Sequence, residues 1–240
     1  MLTSFYTAVS GALSSQEGLR VTANNIANLS TTGYKADRAS FSDLLYTNVR
    51  AAEAGGAGLS VGHGARLNST DTVFDEGAPV KTGRDCDFAV SDENGFFAVL
   101  KDGGVQYTRD GSFHLSAEGA TKEDGGIFRL VNAQGYPVLD KNLSPVYTES
   151  ADGPMSVGVF GFRNKGGLLK TGGNCFSSTA QSGEAQAIQE PGLMQGFLES
   201  SSVDTGTEMA QTIIAERAFA LNARIVQTSD EIMQTLNSLR

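Results

Sequence analysis

Apolar residues recur at helical spacing only at the two ends of the chain. Leu2, Phe5, Val9, Ala12, Gln16, Leu19, Ala23 and Ile26 lie alternately three and four apart, the a/d seam of a coiled coil. At the other end Ile214, Ala218, Leu221, Ile225, Thr228, Ile232, Thr235 and Leu239 step by four and three. Thr205 followed by Glu208 resembles a capping box and predicts a helix of about 35 residues, roughly 50 Å long. The N-terminal helix is the weaker, because Gly11 and Gly18 each cost about 1 kcal/mol relative to alanine. Seven apart, the two glycines share a face and permit close approach by another helix. Two readings stay open: the ends pair with each other within one chain, or they order only when other subunits supply partners.

Between the ends the period changes. FAVSDENGFFAVLKDGGVQYTRDGSFHLSAEG (residues 88–119) alternates apolar runs with the turn signals ENG, DGG and RDG, and hairpins continue through GGIFRLVNAQGYPVLD (residues 125–140). Of the 29 glycines, 25 lie between Gly55 and Gly196, and all five prolines lie between Pro79 and Pro191, so breakers crowd the middle and spare the ends. The expected fold is α+β, with long N- and C-terminal coiled-coil-forming helices flanking a β-rich central domain. Residues 1–35 pair with 200–240 as a helical assembly domain, 36–75 form a linking segment with a glycine-rich joint (GGAGLSVGHG, residues 55–64), and 76–199 form the β-rich domain.

Charge then removes several classes of function. A net charge of −9 and a pI near 4.7 argue against binding nucleic acid or anionic lipid. No stretch approaches the roughly 20 apolar residues that span a bilayer. The opening MLTSFYTAVSGALSS lacks the charged start and continuous apolar run of a secretory signal, so the expectation is a cytosolic protein or export by another route. Cys86 and Cys175 are too few for a disulfide framework; they read as two free buried thiols, with a single bridge between them as the open alternative.

Candidate chemistry is sparse. Gly58-Leu59-Ser60-Val61-Gly62 fits the nucleophile-elbow pattern G-x-S-x-G, but neither a buried strand precedes it nor a helix follows it. His63 is too close in sequence to act as its base, which leaves His114. Two histidines and two isolated cysteines show no ligand spacing, and KDGG (residues 101–104) is a hairpin turn rather than a calcium loop. No catalytic, cofactor-binding or metal-binding residue is expected, and no small-molecule substrate.

One stretch resists this plain reading. ANNIANLSTTGYK (residues 23–35) places Asn24, Asn25 and Asn28 where a helix would avoid them, since asparagine competes for local backbone bonds. The stretch closely resembles the N-terminal signature of bacterial flagellar axial proteins, the rod and hook group. SFSDLLY (residues 40–46) is similar to the segment that follows it in rod proteins, and GFFAVLKDGGVQYTRDGSF (residues 95–113) to their β-domain hairpin. Residues 195–239 resemble the family's C-terminal helix nearly throughout, and the SFSDLLY block with its glycine-rich sequel looks more like the distal rod than the proximal.

The resemblance implies a structural subunit, not an enzyme. Such subunits polymerise with copies of themselves and with other rod and hook proteins into a hollow shaft that carries torque from motor to hook. It also implies export through the flagellar type III apparatus, location in the basal body of the cell envelope, and terminal helices that order on assembly. Ala23, Asn24, Asn25, Ile26, Ala27, Asn28, Thr31, Gly33, Tyr34 and Lys35 are then the candidate assembly motif. In it the asparagines end the helix, Thr31 and Gly33 form a turn, and Tyr34 and Lys35 anchor the joint. The a/d positions are the candidate packing seam. A proximal-rod or hook-type axial protein, a hydrolase using Ser60 and a surface adhesin are the alternatives.

Overall fold

The computed structural model describes residues 2–50, 59–101, 103–117, 128–148 and 155–239. Helix α1 spans Leu2–Ala27 and helix α2 spans Thr205–Ser238, with strands throughout the intervening chain. The fold is α+β. It divides into two units, one of Met1–Ala27, Asp37–Thr72 and Asp204–Arg240, the other of Asn28–Ala36 and Val73–Val203.

In the helical unit α1 and α2 run antiparallel, in a register set by the pairs Asn25–Glu208 and Gly11–Asn222. A Cβ on Gly11 would lie 2.9 Å from the Asn222 side chain, so glycine there does permit close approach. Gly18 instead faces Phe41, 3.1 Å from the position of a Cβ. Phe41 belongs to β1 (Asp37–Asp43), which pairs antiparallel with β4 (Ala65–Thr72). Ser14 on α1 donates to the carbonyl of Ala65 at 2.7 Å, fastening the helix to that ladder.

A second ribbon joins β2 (Tyr46–Arg50) to β3 (Leu59–Gly62). Ser60 therefore lies inside a strand, paired with Asn48, and not on the strand-to-helix turn that a nucleophile elbow requires. The predicted glycine-rich joint falls partly on β3, and its residues 55–58 lie outside the described residues.

Asp204, not the Thr205–Glu208 pair, caps α2. Its carboxylate accepts from the Thr207 amide at 3.0 Å and from the Thr207 hydroxyl, and these bonds hold its pKa below the usual value. That leaves Glu208, in the first turn, for a different partner.

The β-rich unit is antiparallel throughout its described pairings. Strands β7 (Phe96–Lys101), β8 (Gly104–Thr108), β12 (Val159–Gly161), β13 (Leu169–Gly172), β14 (Cys175–Ser177) and β15 (Gln186–Ala187) form a six-stranded sheet in the order β13-β14-β8-β7-β12-β15. Of the three turn signals only DGG, whose Asp102 lies outside the described residues, falls between strands that pair with each other, β7 and β8. Strand β6 (Phe88–Val90), before ENG, pairs with β16 (Leu193–Gln195). Strand β9 (His114–Ser116), after RDG, pairs with β10 (Phe128–Val131).

Strand β7 shows why FFAVL is continuously apolar. Phe97 and Val99 enter one core with Phe88, Phe113, Leu130 and Val159, while Phe96 and Ala98 enter another with Phe74, Leu139, Phe160 and Phe176. Alternate side chains face opposite sides of a strand, so a strand covered on both faces must be apolar at every position.

Candidate assembly site

Helix α1 runs through Asn24 and Asn25 and stops at Ala27, so these asparagines lie in its last turn. Asn25 is 1% exposed. Its Oδ1 accepts from the Asp37 amide at 2.9 Å, and its Nδ2 donates to the Asp37 carbonyl at 2.7 Å and to Glu208 Oε1 at 2.8 Å. The amide thus engages both backbone groups of the first residue of β1, as a neighbouring strand would, while holding the first turn of α2. A side chain with one acceptor and two donors fits this position; a hydrocarbon or a carboxylate does not. Glu208, itself buried, gains from the positive end of α2.

Asn28 lies beyond the helix and opens a turn, its carbonyl accepting from the Thr31 amide at 3.1 Å and its Oδ1 from the Thr31 hydroxyl at 3.1 Å. Gly33 follows with φ of +62°, where a Cβ would stand 2.5 Å from the Arg109 carbonyl; only glycine fits. Its amide donates to the Glu199 carbonyl at 2.8 Å. Thr32 donates to Asp110 at 2.7 Å, and Tyr34 is buried beneath the Lys170 ammonium, 5.0 Å from its ring centre. The RDG sequence, read as a turn signal, therefore forms the seat for the second half of the motif. Ala23 and Ala27 are exposed, and Ile26 is half-buried.

Lys35 ends the motif at 1% exposure. Its Nζ donates to Glu199 Oε1 and to the Asp75 carbonyl, both at 2.6 Å. Glu199, 4% exposed, also accepts from the Gly77 amide at 2.8 Å and from Arg109 at 3.5 Å. Two buried cations share one carboxylate, and backbone carbonyls solvate the remaining charge, those of Asp92 and Glu93 receiving Arg109. Burial pushes the Lys35 and Arg109 pKa values down, against the pull of Glu199.

The seam residues are distributed differently. On α1 the buried positions are Ala8, Ser14, Thr22 and Asn25. Phe5, Val9, Ala12 and Leu19 are half-buried, and the side chain of Leu2 lies outside the described residues. On α2 the buried or half-buried stripe runs through Glu208, Thr212, Ala215, Asn222, Val226 and Ser229. The apolar seam lies about a quarter-turn from it. Ala218, on the border, is half-buried, but Ile214, Leu221, Ile225, Ile232 and Leu239 are 66%, 60%, 46%, 48% and 79% exposed.

Three stretches of the chain match described flagellar families. Residues 5–35 match "Flagella basal body rod protein", 92–158 "Flagellar hook protein FlgE/F/G D1 domain", and 194–239 "Flagellar basal body rod FlgEFG protein C-terminal". The chain is 33% identical to the flagellar basal-body rod protein FlgG of Bacillus subtilis (strain 168), over 100% of both chains. It belongs to the flagellar basal-body rod protein family. The FlgG of Caulobacter vibrioides is 34% identical over 98% of each chain, and the flagellar hook-basal body complex protein FlhP of Bacillus subtilis 31% identical over 100% of each.

This rod protein is a structural subunit and not an enzyme. Both ties of the motif, Asn25–Glu208 and Lys35–Glu199, join the first matched stretch to the last. Of the residues in these contacts, Asn25 and Lys35 are candidates read from the sequence and Glu208 only a capping residue; Glu199, Asp37 and Arg109 are not among those candidates. The signal for Glu208 is its capping-box spacing with Thr205, and that for Glu199 an acidic residue amid a largely uncharged run; neither names a partner.

Proposed function

We propose that the chain polymerises with copies of itself through its terminal helices, as coiled-coil-type packing, into the hollow helical shaft of the rod. In that role it passes torque from motor to hook from a distal position and contacts other rod and hook proteins at the ends of its segment. The observation that carries this is the exposed apolar seam of α2, from Ile214 to Leu239. An apolar stripe that long on a water-facing helix marks an interaction surface. The β2–β3 ribbon adds Tyr46, Val49 and Leu59, with Leu45 just before it, all exposed.

Contacts of this kind that do not close into a ring propagate as a helix. The motif of residues 23–35 serves assembly by fixing where α1 ends and α2 begins, so that the seam is presented in one geometry. Export proceeds through the flagellar type III apparatus and delivers the subunit to the basal body in the cell envelope. Cys86 and Cys175 are not disulfide-bonded, so no cross-link stands in the way of an unfolded chain.

The test is electron microscopy and sedimentation of the purified chain as its concentration rises. Filaments are expected, and they are expected to disappear in an Ile225→Asp, Ile232→Asp variant whose monomer melts as the parent does. A parent chain that stays monomeric under all conditions that preserve its fold would refute the reading.

A further inference from the structure

The helical unit carries a groove and an overhang that match. The groove, about 580 Å³, is walled by both helices and by the β1–β4 ladder. Its lining is mostly small: Gly11, Gly18, Ala39, Ala65, Ala215 and Ala218. A volume of this size holds several aliphatic side chains. Its one charged lining residue is Arg38, which is exposed and makes no ion pair among the described residues. Asp71 faces Arg38 across the ladder but accepts a hydrogen bond from Ser69.

The overhang is the tip of α2. In the antiparallel register Leu2, where α1 begins, falls opposite Glu231. The stripe of α2 that faces α1 is small or polar along most of that contact, then becomes apolar at Met233 and Leu236, where α1 has ended. Ile232, Met233, Leu236 and Leu239 are all exposed, flanked by Asp230 and Glu231, and no basic residue occurs from Val226 to Ser238. Large side chains without holes thus stand at one end of the unit, and holes without large side chains lie some 30 Å along the helix axis, about 20 residues away.

We propose that the groove receives the α2 tip of a second copy of this chain, with Ile232, Met233 and Leu236 entering it and Asp230 or Glu231 pairing with Arg38. This rests on the reading of the chain as a self-assembling subunit. The contact carries the α1-facing stripe of α2 onward into the next copy. It is heterologous, because tip and groove are different surfaces, so it propagates along the axis instead of closing a dimer. The small groove residues set the fit and the charges set the direction of insertion.

The experiment mixes two full-length variants, Ala39→Cys and Leu236→Cys, under assembly conditions, oxidises them, and identifies linked peptides by mass spectrometry. A 39–236 link between the two variants is expected, with 39–39 and 236–236 links absent. In parallel, Arg38→Glu, and separately Asp230→Lys with Glu231→Lys, should each raise the concentration for half-assembly about tenfold or more, and mixing the two should restore it. Assembly with no 39–236 link and no rescue by the charge exchange overturns the docking while leaving polymerisation standing. A chain that never assembles overturns both.

Discussion

Replacing Asn25 by alanine strips three hydrogen bonds from one point and leaves the Asp37 amide and Glu208 Oε1 without their partner. Unsatisfied buried groups of this kind cost about 1–3 kcal/mol each, so Asn25→Ala should lose roughly 3 kcal/mol. The loss should appear in the helical signal during denaturation and leave the β-rich unit's melting unchanged. Glu199→Gln should cost about 3–5 kcal/mol in that second unit, because Lys35 and Arg109 lose their shared carboxylate. Lys35 also has a definite pH signature. Its folded pKa lies below the unfolded value, so between the two the unfolded chain binds more protons, and this residue's contribution to stability rises with pH toward 10.5. Urea midpoints from pH 7 to 10.5 should therefore favour the parent increasingly over Lys35→Met; a constant or shrinking difference would contradict the placement of the ammonium. At this scale the asparagines themselves were conspicuous in the sequence, because a helix would avoid them. The motif's partners were not, since Glu208 and Glu199 lie 183 and 164 residues away and nothing local points to them.

Elements were read more easily than the faces they bury. The apolar runs of β7 and the spacing of α2 follow from strand and helix periods alone, and the α2 start at Thr205 agrees with the expected one. What periodicity could not give is which stripe of α2 meets α1. Close packing selected small residues such as Ala215 and Gly11, and the large apolar ones were left outward. The two glycines that matter most make contrasting predictions. At Gly11 a new Cβ meets only the end of the Asn222 side chain, which can swing aside, and alanine gains about 1 kcal/mol of helix propensity. Gly11→Ala should change stability by no more than about 1 kcal/mol. At Gly33 the clash is with the Arg109 backbone and φ is positive, so Gly33→Ala should cost several times that, beginning with about 1–2 kcal/mol for the left-handed conformation. Thermal melts of the two variants measured together decide this; comparable losses at both sites would count against the close approach of Arg109 to Gly33.

The whole molecule separates folding from assembly along α2. Residues up to Glu231 lie opposite α1 and supply Glu208, Ala215, Asn222 and Val226 to the contact inside the subunit. Residues 232–239 are exposed throughout, so they contribute little to the stability of one copy. An end that folding does not need, yet that keeps Ile232, Met233, Leu236 and Leu239 in water, carries a solubility cost with no return to the monomer. Deleting residues 232–240 should therefore leave the monomer's melting free energy within about 1 kcal/mol of the parent, apart from some fraying at the new helix end. Assembly should fail, because the exposed anchors that dominate such contacts are gone. Paired measurements of melting temperature and of sedimentation at rising concentration test both halves. If the truncated chain assembles like the parent, the tip has no part in the shaft and the seam between Ile214 and Ile225 must suffice. If instead its monomer unfolds, the overhang is held within the subunit and is not free to reach a second copy.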